Sequence, residues 1–119
     1  MMTAQEIQAK ADELTAMEIL SVAKKAGEKV YAIAFNIEDD QVVGYLREPR
    51  RQTKMAAWDM MAKGKATEAG EVILTASLIP EYSDQRLLSL DSANDDIYLS
   101  ACIECIGFVK VYGSDIKKN

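Results

Sequence analysis

The sequence holds two cysteines, spaced as Cys102-Ile-Glu-Cys105. A reactive dithiol of this spacing needs its first sulfur at a helix N-terminus, where the dipole favours thiolate. Here the pair falls inside a helical pattern, roughly two turns past the residues that would cap it. As a zinc site it supplies only half of a tetrahedral ligand set, and the chain has no histidine to complete it. That absence also removes the commonest general base and every Ser-His or Cys-His nucleophile pair. Cys102 and Cys105 therefore read first as small buried hydrophobes on a core face. A thiol-redox pair, or half of a metal site completed by a second copy, is the chemical alternative.

The carboxylate clusters Glu38-Asp39-Asp40 and Asp95-Asp96 could do acid–base work only in a cleft that perturbs their pKa values. The first reads as a polar turn and the second as the first turn of a helix, where negative charge suits the dipole. The aspartate spacing of a calcium loop is missing. With no catalytic set in view, the expectation is a protein that is not an enzyme and carries no cofactor. The remaining candidates are binding residues. Arg47, Arg50 and Arg51 form a basic cluster beside Pro49, without a glycine-rich phosphate loop. Met55, Trp58, Met60 and Met61 form a soft aromatic and thioether patch close behind it. Arginine, tryptophan and methionine are enriched at protein interfaces, and methionine adapts to varied partners. Arg47, Arg50, Arg51, Trp58 and Met60 are the expected partner-binding set. Trp58 leans toward the core in this reading.

These residues need elements to position them. With 119 residues, one domain over 1–119 is expected, large enough to fold without disulfide or metal. Thr3 and Glu6 have the spacing of a capping box. Ile7, Ala11, Leu14, Met17 and Leu20 then share a helical face, so residues 1–27 read as an N-terminal helix ending near Gly27. In residues 29–37 large and small residues alternate, which is a strand. Residues 41–47 alternate again, and the two should pair as an antiparallel hairpin over 28–48. Pro49 ends the second strand. Residues 50–119 read as mainly helical. One helix is capped by Thr53 and stopped by Gly64, with Met55, Trp58, Met61 and Ala62 on its inner face. A second runs from about Ala66 to Pro80. A turn follows in which Leu87 and Leu88 are tucked in. A last helix, capped by Asp91 or Ser92, turns Leu99, Cys102, Ile106 and Val109 inward with Ile103 close by. The fold class expected is α+β, with an N-terminal helix, an antiparallel β-hairpin and a helical C-terminal half.

The net charge is −5 and the pI about 4.7. The global field repels phosphate backbones, so nucleic acid is not the expected partner. No segment reaches the roughly 18–20 apolar residues of a membrane span, and the N-terminus lacks the pattern of a secretory signal. A cytoplasmic location is expected. The outer edge of a lone hairpin invites pairing with another copy, so a homo-oligomer is expected to be accessible.

Residues 40–116 also carry a broader pattern. Val43-Gly-Tyr-Leu-Arg-Glu-Pro-Arg50 leads from strand to helix, followed by Ala56-Ala-Trp58, Ala69-Gly-Glu-Val-Ile-Leu74 and Asp95-Asp-Ile-Tyr-Leu99. This order of residue types resembles small phage proteins of the tail assembly chaperone kind, and residues 1–27 resemble them less. The resemblance implies a protein that binds the tape-measure protein, keeps its long helices in solution, recruits tail-tube subunits and acts in the host cytoplasm. A phage structural or cargo protein retained in the virion is the alternative within the same partner class.

Overall fold

The computed structural model describes residues 2–16 and 29–117, and the side chains among them up to residue 109. Helix α1 spans Ala4–Ala16, strands β1 Val30–Ile37 and β2 Asp40–Arg47, and helices α2 Arg51–Ala62, α3 Ala66–Ser77 and α4 Asp95–Lys117. The architecture is α+β, as the hydrophobic patterning predicts. The part of the N-terminal helix expected over 17–27, with Met17, Leu20 and Gly27, lies outside the described residues.

The capping box forms as its spacing requires. The Thr3 N–H donates to Glu6 Oε1 (3.2 Å) and the Glu6 N–H to Thr3 Oγ1 (3.1 Å), satisfying donors that the first turn leaves unpaired. Ile7, Ala11 and Leu14 are buried beneath α1. β1 and β2 pair antiparallel, with Ile37 opposite Asp40 and Val30 opposite Arg47. The turn is Glu38-Asp39, and β2 begins at Asp40, one residue earlier than expected. Glu38 has φ 55°, the left-handed conformation that a two-residue hairpin loop asks of its first residue.

The hairpin is a central layer buried on both faces. One face presents Ile33, Val42 and Leu46 to the larger core, built with α2, α3 and α4. The other presents Val30 and Tyr45 to a smaller core under α1, closed by Ile79. Two-sided burial is how a two-stranded ribbon, marginal by itself, becomes stable. Gly44 is required within it: a Cβ there would lie 2.9 Å from Leu87 Cδ1 and 3.1 Å from Ile33 Cγ1.

The outer edge of β2 is closed by the segment after α3. The Ile79 N–H donates to the Tyr45 carbonyl (2.8 Å) and the Asp84 N–H to the Val43 carbonyl (3.0 Å). The Tyr45 N–H donates to Ser83 Oγ (3.0 Å), and the Ser83 hydroxyl in turn reaches the Ile79 carbonyl at 2.7 Å. The Arg86 guanidinium then ties this segment to the hairpin tip. It donates to both Asp84 carboxylate oxygens (3.0 and 2.7 Å), to Asp40 and to the Gln41 carbonyl (3.3 Å).

Several expectations for the helical half are corrected. Thr53 does not cap α2. The N-cap is Arg50, which makes no side-chain cap bond, and Thr53 sits inside the helix because the chain turns helical directly after Pro49. Gly64 does stop α2, at φ 77°. The inner face of α2 centres on Ala57, its one buried residue, while Met55 is 63% exposed and Ala62 is exposed. On α4 the buried residues are Ile97, Ala101, Cys102, Cys105 and Val109, whereas Leu99 and Ile103 are 47% and 58% exposed. Leu87 is buried and Leu88 is not. Asp91 caps a short 3-10 turn, Ser92–Asn94, which leads into α4.

One cause explains the shift on α2 and α4. The seams between helices are made of small residues, Ala57, Ala69, Gly70, Ala101, Cys102 and Cys105, all in the larger core or against it. Small side chains let helix axes approach closely, and larger apolar neighbours are then turned outward. Tyr98 fastens the α3–α4 seam at its rim, its hydroxyl donating to Glu71 Oε2 (2.6 Å).

Candidate protein interface at the start of the second helix

Pro49 is buried and anchors the turn from β2 into α2. It leaves Arg50 and Arg51 exposed at the first positions of the helix. The positive end of a helix dipole favours acids and disfavours cations, each by about 0.3–1 kcal/mol at an exposed site. The first turn of α2 has no acidic residue, and no side chain caps it. Neither Arg50 nor Arg51 forms a salt bridge with another described residue. Two unneutralised cations therefore stand where α2 itself would gain from carboxylates.

Met55 lies one turn beyond Arg51 on the same exposed face. Asp59 follows one turn later and is engaged by Lys63 at 3.0 Å. A cation, an exposed thioether and an ion pair thus run in line along the helix. Trp58 and Met60 pack against the larger core while keeping part of their surface in solvent. Arg47, at the end of β2, is partly buried. The five residues read as a binding set from the sequence are thus split. Arg50 and Arg51 share the exposed start of α2, Trp58 and Met60 lean into the core beneath it, and Arg47 belongs to the strand. Met55, 63% exposed and in line with Arg51, is the large apolar residue of this surface that the expected set omits. Its position four residues after Arg51 is the signal that could have found it.

The surface can attract carboxylates and receive an apolar side chain on Met55. The cysteines lie elsewhere, on the α3–α4 seam, with Cys102 1% and Cys105 0% exposed, and both are free thiols. Burial pushes the Cys102 thiol up to about 11, assisted by the Glu71 carboxylate. Burial, with Cys102 and Glu104 as neighbours, pushes Cys105 up to about 12. A nucleophilic cysteine needs the reverse. Among the described residues no group of three or more Cys, Asp and Glu converges as a metal-ligand set. No helix among them is long and apolar enough to cross a membrane.

A second surface feature is a cleft of about 520 Å³ between α1, the start of β1 and α4, lined by Gln8, Asp12, Thr15, Lys29, Ala32 and Phe108 among others. Phe108 stands edge-on to Tyr31, with ring centroids 5.5 Å apart.

Comparison with known proteins finds no family model that matches the chain, and no curated protein or solved structure that matches it.

Proposed function

We propose that the chain is a non-enzymatic protein-binding module of the tail assembly chaperone kind. In this reading it holds amphipathic helices of a tape-measure protein in solution in the host cytoplasm and recruits tail-tube subunits to them. The observation that supports a binding role is the start of α2. Sequences that specify a fold agree with local rules nearly everywhere and depart from them where function requires it. Arg50 and Arg51 oppose the dipole of the helix they begin, and its first turn has no acidic residue to offset the cost. A partner helix with acidic residues beside an apolar stripe would supply the missing carboxylates and cover Met55. The tail assembly assignment itself rests on the sequence resemblance over residues 40–116.

Co-expression with the candidate tape-measure protein tests this reading. The tape-measure protein should move from the insoluble to the soluble fraction and co-purify with the chain. Mass spectrometry of finished particles should find the tape-measure protein and not this one. A chain present in particles at stoichiometric amounts would instead make it a virion component. A tape-measure protein that stays insoluble beside abundant folded chain would end the chaperone reading.

A further inference from the structure

The two edges of the hairpin are treated very differently. The edge of β2 is closed by residues 79–86, as described above. On β1 the two-residue turn makes Ile37 and Asp40 a hydrogen-bonded pair, so alternation along the ladder points the backbone groups of Val30, Ala32, Ala34 and Asn36 away from β2. The Val30 N–H is taken by Thr15 Oγ1 (2.9 Å). Among the described residues no hydrogen bond is formed by the outward groups of Ala32, Ala34 or Asn36, and Ala34 and Asn36 are exposed. Natural edge strands are usually protected by a lysine, a proline, an inward charge or a bulge. The sequence of β1, VYAIAFNI, has none of these charges or prolines, and its pairing with β2 runs without a bulge.

We propose that β1 is an interface with a second copy of this chain, formed by antiparallel pairing of the two outer edges about a two-fold axis at Ala34. Three features select this register. At the axis Ala34 meets Ala34, and Ala32 meets Asn36 on either side, so the outward backbone groups of Ala32, Ala34 and Asn36 find partners between small side chains. On the opposite face Ile33 comes to lie across from Phe35 of the second copy, and Tyr31 across from its Ile37. These are apolar and aromatic cross-strand pairs at the closer, non-hydrogen-bonded positions. Phe35 and Ile37 are only partly buried within one copy. At each end Lys29 comes opposite Asp39 and beside Glu38 of the other copy, and none of these three makes an ion pair with another described residue of its own chain. Sliding the pairing by two residues would set Lys29 against Ile37 instead. The cleft at the Lys29 end, floored by Ala32 and walled by α1 and Phe108, is where the other copy's hairpin tip enters. The merged sheet keeps both α1 helices on one face and both α4 helices on the other. This surface uses different residues from the start of α2 and does not rest on the proposed function.

Sedimentation of the full chain over a wide concentration range should show a reversible dimer. Ala34→Lys places two like charges across the axis and should abolish it while the melting curve stays that of a folded protein. Ala34→Cys tests the register without depending on that variant. Hydrogen-bonded antiparallel partners have Cα atoms about 5.5 Å apart, within disulfide range, so diamide should convert this variant to a covalent dimer. Ala32→Cys, whose partner is Asn36, should remain uncrosslinked. A chain monomeric at every concentration would overturn the proposal. So would a dimer that survives Ala34→Lys, or one in which Ala32→Cys crosslinks and Ala34→Cys does not.

Discussion

Gly70 on α3 faces the carbonyl of Cys102 on α4 so closely that a Cβ on Gly70 would lie 1.9 Å from that oxygen. The contact is with helix backbone, so no side chain can move aside to relieve it. Alanine is preferred over glycine in a helix interior by about 1 kcal/mol, but forcing this seam apart costs more, about 1–3 kcal/mol or above. Net of that propensity gain, Gly70→Ala should therefore lower stability by about 1–2 kcal/mol. At Gly107, also in α4, a Cβ would meet nothing within 4 Å, and Gly107→Ala should raise stability by up to about 1 kcal/mol. Urea denaturation of the two variants checks the opposite signs. A neutral Gly70→Ala would mean the helices are farther apart than described.

The same seam decides the chemistry of the cysteines. With its pKa moved from 9.0 to about 11, Cys102 holds roughly 100-fold less thiolate at pH 8 than an ordinary cysteine, before burial slows access further. Native protein should show almost no reaction with a thiol reagent at pH 8, and both thiols should react at once in denaturant. Rapid labelling of either one in the folded state would revive the redox reading.

The hairpin pattern, the capping box and the stop at Gly64 were legible because each depends on residues close in the chain. The inner faces of α2 and α4 were not. Periodicity weights large apolar residues, and so points to Met55, Leu99 and Ile103. The helices instead approach over Ala57, Ala101, Cys102 and Cys105, whose packing value is their small size. That choice depends on Gly70 and Ala69 lying opposite, a relationship distant in sequence. The closure of the β2 edge by Ser83 and Arg86 was hidden for the same reason: a polar run such as residues 81–89 reads as a solvated turn until its hydrogen-bond partners are seen. The candidate site was legible in part. The basic cluster is visible in the residues, but its position at an uncapped helix start depends on Pro49 and not on Thr53.

Asp84 gives the fold a specific pH dependence. The Arg86 guanidinium bonded to its carboxylate, helped by the Arg86 backbone N–H and opposed by burial, holds its pKa below the ordinary aspartate value. A carboxylate depressed in the folded state contributes stability that is present above its unfolded pKa and lost as pH falls through the folded value. The contribution should be complete above about pH 5 and be lost as the pH falls below the ordinary aspartate range. Asp84→Asn should cost on the order of 1–2 kcal/mol at pH 7, and its deficit relative to wild type should shrink steadily on acidification. A deficit that does not change with pH would assign the loss to packing and not to the ion pair.

In the proposed function Arg50 and Arg51 serve a partner at the expense of their own helix. This role is tested most directly by titrating wild-type chain and Arg50→Glu/Arg51→Glu with a helical segment of the tape-measure protein at low and high salt, following the fluorescence of Trp58, the one tryptophan in the sequence. We expect wild type to bind and the double variant to bind roughly tenfold more weakly or worse at low salt, with the gap narrowing at high salt. The variant should melt at the same temperature or slightly higher, because glutamates suit the start of α2. A folded double variant that binds as tightly as wild type at low salt would contradict this role.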